Sequence, residues 1–251
     1  MMSRITLIQR NIEWLNIDGN LADIEAMLDD VKTDVVVLSE MFQTGFATNP
    51  QEAVDGGKTL EWMLRMAKKL DAAVVGSCAV KVGDEYRNRM YFVKPTGEVE
   101  YYDKWHLFSI GGESKSYTRG NERKVVEWRG VRYLLAICYD LRFPVWSRQR
   151  GDYDAIIYVA AWPTPRREVW KTLLRARAIE NQAYVIGVNR IGDEPALNYS
   201  GDSVVVNYYG EPMCECDDAE CVVQVELDID KLNKFRDKFN VSVDADEFML
   251  I

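Results

Sequence analysis

Three residues in this sequence carry side chains suited to acyl-transfer chemistry without histidine: Glu40, Lys104 and Cys138. Each stands where an apolar, strand-like run ends. Glu40 closes DVVVLSE, Lys104 follows EVEYYD, and Cys138 follows YLLAI and precedes YDLRFP. A free thiol with a pKa of ~8.5 is mostly protonated at neutral pH and needs a base or a nearby cation to act as a nucleophile. A carboxylate beside the sulfur can take that proton, the more so if burial raises the carboxylate's own pKa. A lysine beside both stabilises the thiolate, the carboxylate and then the negative oxygen of a tetrahedral intermediate. The same glutamate can afterwards activate water against a thioester. The composition favours such a route, because the chain holds a single histidine, His106, and histidine is the usual general base near neutral pH.

Each of the three also has an ordinary structural reading. A lone cysteine after an apolar strand is more often a small buried hydrophobe, and a Glu or Lys at a strand end is usually a solvated charge. Spacing along the chain does not by itself bring the three together. Their setting is nonetheless suitable, since ligand crevices form at strand ends in α/β sheets. Pro144 suits the first turn of a helix. The strand-turn-helix around Cys138 therefore resembles a nucleophile elbow, which would expose the sulfur and aim the Tyr139 backbone N–H at a developing oxyanion.

The elements that must position these residues alternate. RITLIQR, DVVVLSE, DAAVVGSCAVK, YLLAI, DAIIYVAAW, AYVIGVNR and DSVVVNYYG read as strands, several of them apolar enough to be buried on both faces. LADIEAMLDDV, TLEWMLRMAKKL, FPVWSRQR and EVWKTLLRARAIEN read as helices, and YRNRMYFVKPTGEVEYYDK as a hairpin turning at Pro95-Thr96-Gly97. No Pro/Gly/Ser-rich linker intervenes, so residues 1–251 are expected to form one domain. A faint internal repeat relates DVVVLSEM to DAIIYVAA, and TLEWMLRMAKKLDAAVVGS to VWKTLLRARAIENQAYVIGVN. It predicts two α/β halves that pack their sheets together.

The segments LSEMFQTGF, YYDKWHLF and AICYDLRFP, in this order, resemble the nitrilase superfamily of carbon-nitrogen hydrolases, and ESKSYTRGN and RARAIENQAYVIGVNR extend the match over the chain. The resemblance implies an α/β fold, a four-layer α-β-β-α sandwich. It also implies a catalytic site in which Glu40 is the general base, Lys104 the oxyanion stabiliser and Cys138 the nucleophile. Glu113 matches a second glutamate of the family, one that orients the lysine and assists the substrate. CYDLRFP looks like the amidase branch. AAWPTPRREVWKTLL is similar to bacterial omega-amidases, which release ammonia from the terminal amide of 2-oxo acids such as 2-oxoglutaramate and 2-oxosuccinamate. Family members often carry His before the tryptophan of that helix; here Val169 precedes Trp170, so a contact made by that His would be missing. The resemblance also implies no cofactor or metal and an assembly of the homodimer kind, to which the apolar end DEFMLI could contribute. Another small amide or an N-carbamoyl compound remains the alternative substrate, and a non-catalytic binding protein the alternative of another class.

Five residues are candidates for contact with substrate. Arg142 suits a substrate carboxylate, although its place at the start of a helix equally suits a structural salt bridge. Tyr139, Trp162 and Phe108, with Phe46, could wall a pocket or simply pack. His106 reads as a structural or supporting histidine. A formal charge of -9 argues against nucleic acid. The N-terminal apolar run is too short for a signal peptide and no stretch reaches the length of a membrane span, so a cytoplasmic location is expected. In that compartment Cys78, Cys138, Cys214, Cys216 and Cys221 are expected to be free thiols, with Cys214 and Cys216 on one face of a strand. C-x-C-x4-C lacks zinc-site spacing. GGKTL lacks the first glycine of a phosphate loop, Glu52 standing in its place.

Overall fold

The computed structural model of the chain describes residues 1–195 and 197–249. Strands form where the sequence is continuously apolar, and helices where apolar residues recur on one face. The first half runs β1 (Met2–Gln9), α1 (Ile17–Met27), β2 (Val35–Val37), α2 (Pro50–Ala53), α3 (Lys58–Leu70), β3 (Ala73–Val82), β4 (Glu85–Val93) and β5 (Val99–Asp103). The second runs β6 (Val125–Trp128), β7 (Val131–Ile137), α4 (Pro144–Ser147), β8 (Ala155–Val159), α5 (Arg167–Asn181) and β9 (Tyr184–Val188). It continues through β10 (Ile191–Asp193), β11 (Asn198–Ser200), β12 (Val204–Val206), β13 (Pro212–Glu215), β14 (Cys221–Asp228) and α6 (Ile229–Lys238).

Two six-stranded sheets result, ordered β14-β1-β2-β3-β4-β5 and β13-β12-β9-β8-β7-β6. Alternation along the strands explains how they stack. Val35 and Val37 of β2 enter one core with Ile157 and Val159 of β8, between the sheets. Val36 instead meets Leu21, Ile24, Met63 and Met66 of α1 and α3, while Ile156 and Tyr158 meet Trp170 and Leu174 of α5. Layers therefore follow as helix, sheet, sheet, helix, the α-β-β-α sandwich the resemblance implied. The repeat also has a structural counterpart. In each sheet three parallel strands (β1-β2-β3 and β7-β8-β9) are flanked by antiparallel ones, so β2 corresponds to β8 and β3 to β9.

Several expectations need correction. FPVWSRQR is not one helix: α4 stops at Ser147, because the Gln149 N–H is taken by Asn181 Oδ1 at 2.9 Å rather than by a carbonyl one turn back. DSVVVNYYG is a strand only at Val204–Val206. Asp202 sits at φ +60° before it, and a turn closed by Gly210 N–H to Asn207 O follows it. Cys216 lies beyond the end of β13 and is disulfide-bonded to Cys221, their Cα atoms 6.6 Å apart; Cys78, Cys138 and Cys214 are the free thiols. The β13–β14 connection brings this pair together, which spacing alone did not reveal. In DEFMLI the last two residues lie outside the described residues; Met249 is exposed and Phe248 lies 5.0 Å from the Arg150 guanidinium. No helix among the described residues is long and apolar enough to cross a membrane.

Helix α5 approaches its sheet closely at Gly187 of β9. A Cβ there would stand 2.6 Å from Leu174 Cδ1 and 2.9 Å from Trp170 Cζ2. Gly187→Ala should therefore cost about 1–3 kcal/mol through overpacking, read as a lower midpoint in urea unfolding with an unchanged slope. An unchanged midpoint would mean that α5 can shift freely.

Candidate active site

The loops at the ends of β2, β5, β7 and β8 meet in one place. Lys104 extends the β4–β5 hairpin by one pair: its N–H donates to Asn88 O (3.0 Å), and its carbonyl accepts from Gly120 N–H (2.9 Å). Its ammonium is completely buried. It donates to Glu40 Oε1 at 2.8 Å and to Glu113 at 2.9 Å (Oε2) and 3.2 Å (Oε1). Across the hairpin, the Asn88 amide nitrogen also bridges the two carboxylates, to Glu40 Oε1 (2.8 Å) and Glu113 Oε1 (3.0 Å). Glu40 Oε2 accepts from the Ala161 N–H at 2.9 Å, and Glu113 Oε2 from the Phe108 N–H at 2.6 Å. Every one of these contacts presents a donor to a carboxylate oxygen.

Cys138 opens a 3-10 turn, Cys138–Arg142, with φ +45°. That left-handed region costs a non-glycine residue on the order of 1–3 kcal/mol and persists only when the surroundings impose it. Asp140, itself buried, imposes it. One oxygen accepts from the Ile137 N–H (2.8 Å) and the Tyr102 hydroxyl (2.8 Å), the other from the His106 N–H (3.0 Å), and His106 Nδ1 lies 2.7 Å away. The nucleophile elbow anticipated from sequence is thus tied to the Tyr102–His106 segment that carries Lys104. The Cys138 thiol donates to Ala161 O at 3.9 Å, so the residue that binds Glu40 through its N–H holds the sulfur through its carbonyl.

Electrostatics set the protonation states. Burial lowers the Lys104 pKa, but Glu113, Glu40 and Cys138 together raise it above the ordinary lysine range. Burial pushes Glu113 up, with Lys104 and Asn88 opposing and Glu40 adding to the rise. Burial and then Glu40 drive the Cys138 thiol well up, against Lys104. The thiol consequently keeps its proton at neutral pH.

These residues open onto one pocket. Glu40, Lys104, Cys138, Tyr139, Arg142, Trp162 and Phe108 all line it, with Phe46, so every candidate except the deeper Glu113 reaches the same cavity. Arg142 forms no ion pair among the described residues; its guanidinium lies 5.1 Å from the Trp162 ring centroid, which removes the salt-bridge alternative. His106 stacks on Phe143 at 3.8 Å and supports Asp140 from outside the pocket. Val169 packs into the α5 core and does not reach the cavity.

Sequence reading missed Asn88, Asp140 and Arg166. The Pro95-Thr96-Gly97 turn fixes the hairpin register and sets Asn88 opposite Lys104, so turn geometry was a usable signal for the first. Asp140 lies inside a motif already noted, and nothing in its spacing tells how many donors it collects. Arg166 lines the pocket from the loop after β8, where the sequence shows only one of two adjacent arginines.

A carbon-nitrogen hydrolase family model matches residues 4–237, and the chain belongs to that family. It is a cysteine-dependent C–N hydrolase. Omega-amidase YafV of Yersinia enterocolitica is 43% identical over 99% of this chain and 98% of that protein. 2-Oxoglutaramate amidase of Bacillus subtilis is 32% identical over 94% and 95% respectively. Among solved structures, a CN-hydrolase superfamily protein of Xanthomonas campestris with an arsenic adduct in its active site superposes with a TM-score of 0.97 at 39% identity, covering 100% of this chain and 99% of that one.

Two outcomes follow from the geometry. Asp140→Ala leaves the Ile137 and His106 N–H groups unsatisfied and should lose roughly 3 kcal/mol or more of stability, measured by urea unfolding. A variant as stable as the parent would remove Asp140 as the anchor of the elbow. The second concerns alkaline pH. Because the folded Cys138 pKa lies above its usual value of 9.0, above that pH the unfolded chain loses a proton that the folded one keeps, and stability falls as pH rises. Lys104, also raised, loses its contribution only beyond 10.5. Between these limits Cys138→Ser should lose stability less steeply than the parent, by up to about 1.4 kcal/mol per pH unit. Buried Cys78, raised for the same reason, keeps some slope in both. Parallel curves would contradict the raised thiol.

Proposed function

We propose that this chain is an omega-amidase that releases ammonia from the terminal carboxamide of a small 2-oxo acid, 2-oxoglutaramate or 2-oxosuccinamate. In this reading the catalytic residues are Cys138, Glu40 and Lys104, with Glu113 in support. The observation that carries it is the buried Glu40–Lys104–Glu113 array beside a thiol at a left-handed elbow. It adjoins a pocket to which Arg142 brings an unpaired cation. The names borne by the Yersinia and Bacillus relatives point the same way.

Cys138 attacks the amide carbonyl carbon while Glu40 takes the thiol proton, so the raised thiol pKa is overcome only as the S–C bond forms. The carbonyl oxygen becomes an oxyanion, held by the Lys104 ammonium and the Tyr139 backbone N–H. Glu40 returns the proton to the leaving nitrogen, ammonia departs, and an acyl thioester remains. Water then attacks the thioester, giving up a proton to Glu40, and the free acid and thiol are restored. Glu113 holds Lys104 in place and offsets the charge lost from Glu40 when it is protonated. Arg142 binds the substrate carboxylate. No metal or cofactor enters these steps. The single domain and cytoplasmic location expected from the sequence, and the homodimer implied by the resemblance, belong to the same proposal.

An ammonia-release screen over 2-oxoglutaramate, 2-oxosuccinamate, glutamine, asparagine and N-carbamoyl compounds tests it. The 2-oxo acid amides should be the best substrates. Cys138→Ala should be inactive, and Lys104→Arg should lose at least ~100-fold, because a guanidinium differs from an ammonium in shape and donor geometry. Preference for a carbamoyl compound would move the substrate assignment. Absence of both ammonia and an acyl adduct by mass spectrometry would favour a binding protein.

A further inference from the structure

We infer that Arg166 makes this pocket selective for a 2-oxo group next to the substrate carboxylate, and that it excludes the corresponding amino-acid amides. The inference rests on the omega-amidase reading and adds the residue that reads the second carbon.

Two guanidinium groups line the pocket, Arg142 from the elbow and Arg166 from the loop after β8. Neither forms an ion pair among the described residues. Each lies over an aromatic wall residue, Arg142 5.1 Å from the Trp162 centroid and Arg166 5.4 Å from that of Phe108. Such placement steadies a guanidinium while leaving its N–H edge free. The backbone of Arg166 is fixed independently of its side chain. Its N–H donates to Pro163 O at 3.0 Å, and its carbonyl accepts from Trp162 Nε1 at 2.8 Å.

One carboxylate needs one guanidinium fork. A second unpaired fork in the same cavity calls for a second acceptor close by, and a 2-oxo oxygen is one. Among the described residues Glu40 is the one acidic residue lining the cavity, and its oxygens already accept from Lys104, Asn88 and the Ala161 N–H. An ammonium on the second carbon would find no unpaired carboxylate among the described lining residues and would face two cations. An amino-acid amide such as glutamine offers the same carboxylate and the same terminal amide, so this carbon is where discrimination has to occur. Like-charge exclusion and an unmet donor both act against the wrong substrate.

The test compares kcat/KM on 2-oxoglutaramate, glutaramate and glutamine for the parent, Arg166→Gln, Arg166→Lys and Arg142→Gln. Arg166→Gln should lower the 2-oxoglutaramate value about tenfold to a hundredfold, the range for one charge-assisted hydrogen bond. Glutaramate should fall less than about threefold and glutamine should fall least or rise. Arg166→Lys should be intermediate, because it keeps the charge without the fork. Arg142→Gln should lower all three. If Arg166→Gln lowers the three substrates in parallel, Arg166 reads the carboxylate and the inference is overturned. If it changes none of them, Arg166 does not touch the substrate. If the parent releases no ammonia from 2-oxoglutaramate but does so from other amides, the functional reading fails first and takes this inference with it.

Discussion

A single buried cation governs the architecture around the pocket. The Lys104 ammonium has no access to water, and an unpaired charge there would cost several kcal/mol. Glu40 and Glu113 meet that demand from different segments, and Asn88 ties their oxygens to one another. Two carboxylates against one ammonium leave the cluster with surplus negative charge. Burial first, and then the nearby Glu40 carboxylate, make the neighbouring thiol hold its proton at rest. Stability and reactivity are set by the same charges.

The matching sheets explain how so many segments reach one point. The loops after the equivalent strands β2 and β8 touch directly: the Glu40 N–H donates to Ala160 O at 3.3 Å, and Ala161 N–H returns a bond to the Glu40 carboxylate. One half contributes Glu40, Asn88, Lys104 and Glu113, the other Cys138 and both pocket arginines. Asp140 spans the divide by gripping Tyr102 and His106. The symmetry is used to bring strand ends together, and the chemistry placed there is asymmetric.

Much of this was legible beforehand, for physical reasons that differ by residue. Continuous apolar runs announced β2 and β8, and their ends announced Glu40 and the loop that includes Trp162. The hairpin and the helices α3 and α5 followed from turn residues and apolar spacing. The role of Glu113 came through resemblance alone, since an acid between glycines and serines looks solvated. Cys138 was visible, but the φ of +45° that exposes it was only suggested by the proline downstream. Asn88 was hidden because a polar residue within a polar strand gives no sign of burial. The disulfide partners were hidden because their proximity depends on where β13 ends and β14 begins: the strand expected at Cys214 was carried on through Cys216, and β14 was unassigned. Arg166 was hidden because adjacent arginines are indistinguishable until a loop points one of them inward.

The two aromatic-backed arginines have a kinetic meaning as well. The chain as a whole carries a formal charge of -9, so most of its surface repels anions. A cleft lined with positive charge in such a body concentrates field lines at its entrance. A small anion near the opening is drawn in, while a polyanion, which must lie across the surrounding surface, is turned away. Capture of substrate is then an ionic-strength-dependent event at the rim, separate from the chemistry on the floor. The protein sorts its encounters by size and charge before any bond is tested.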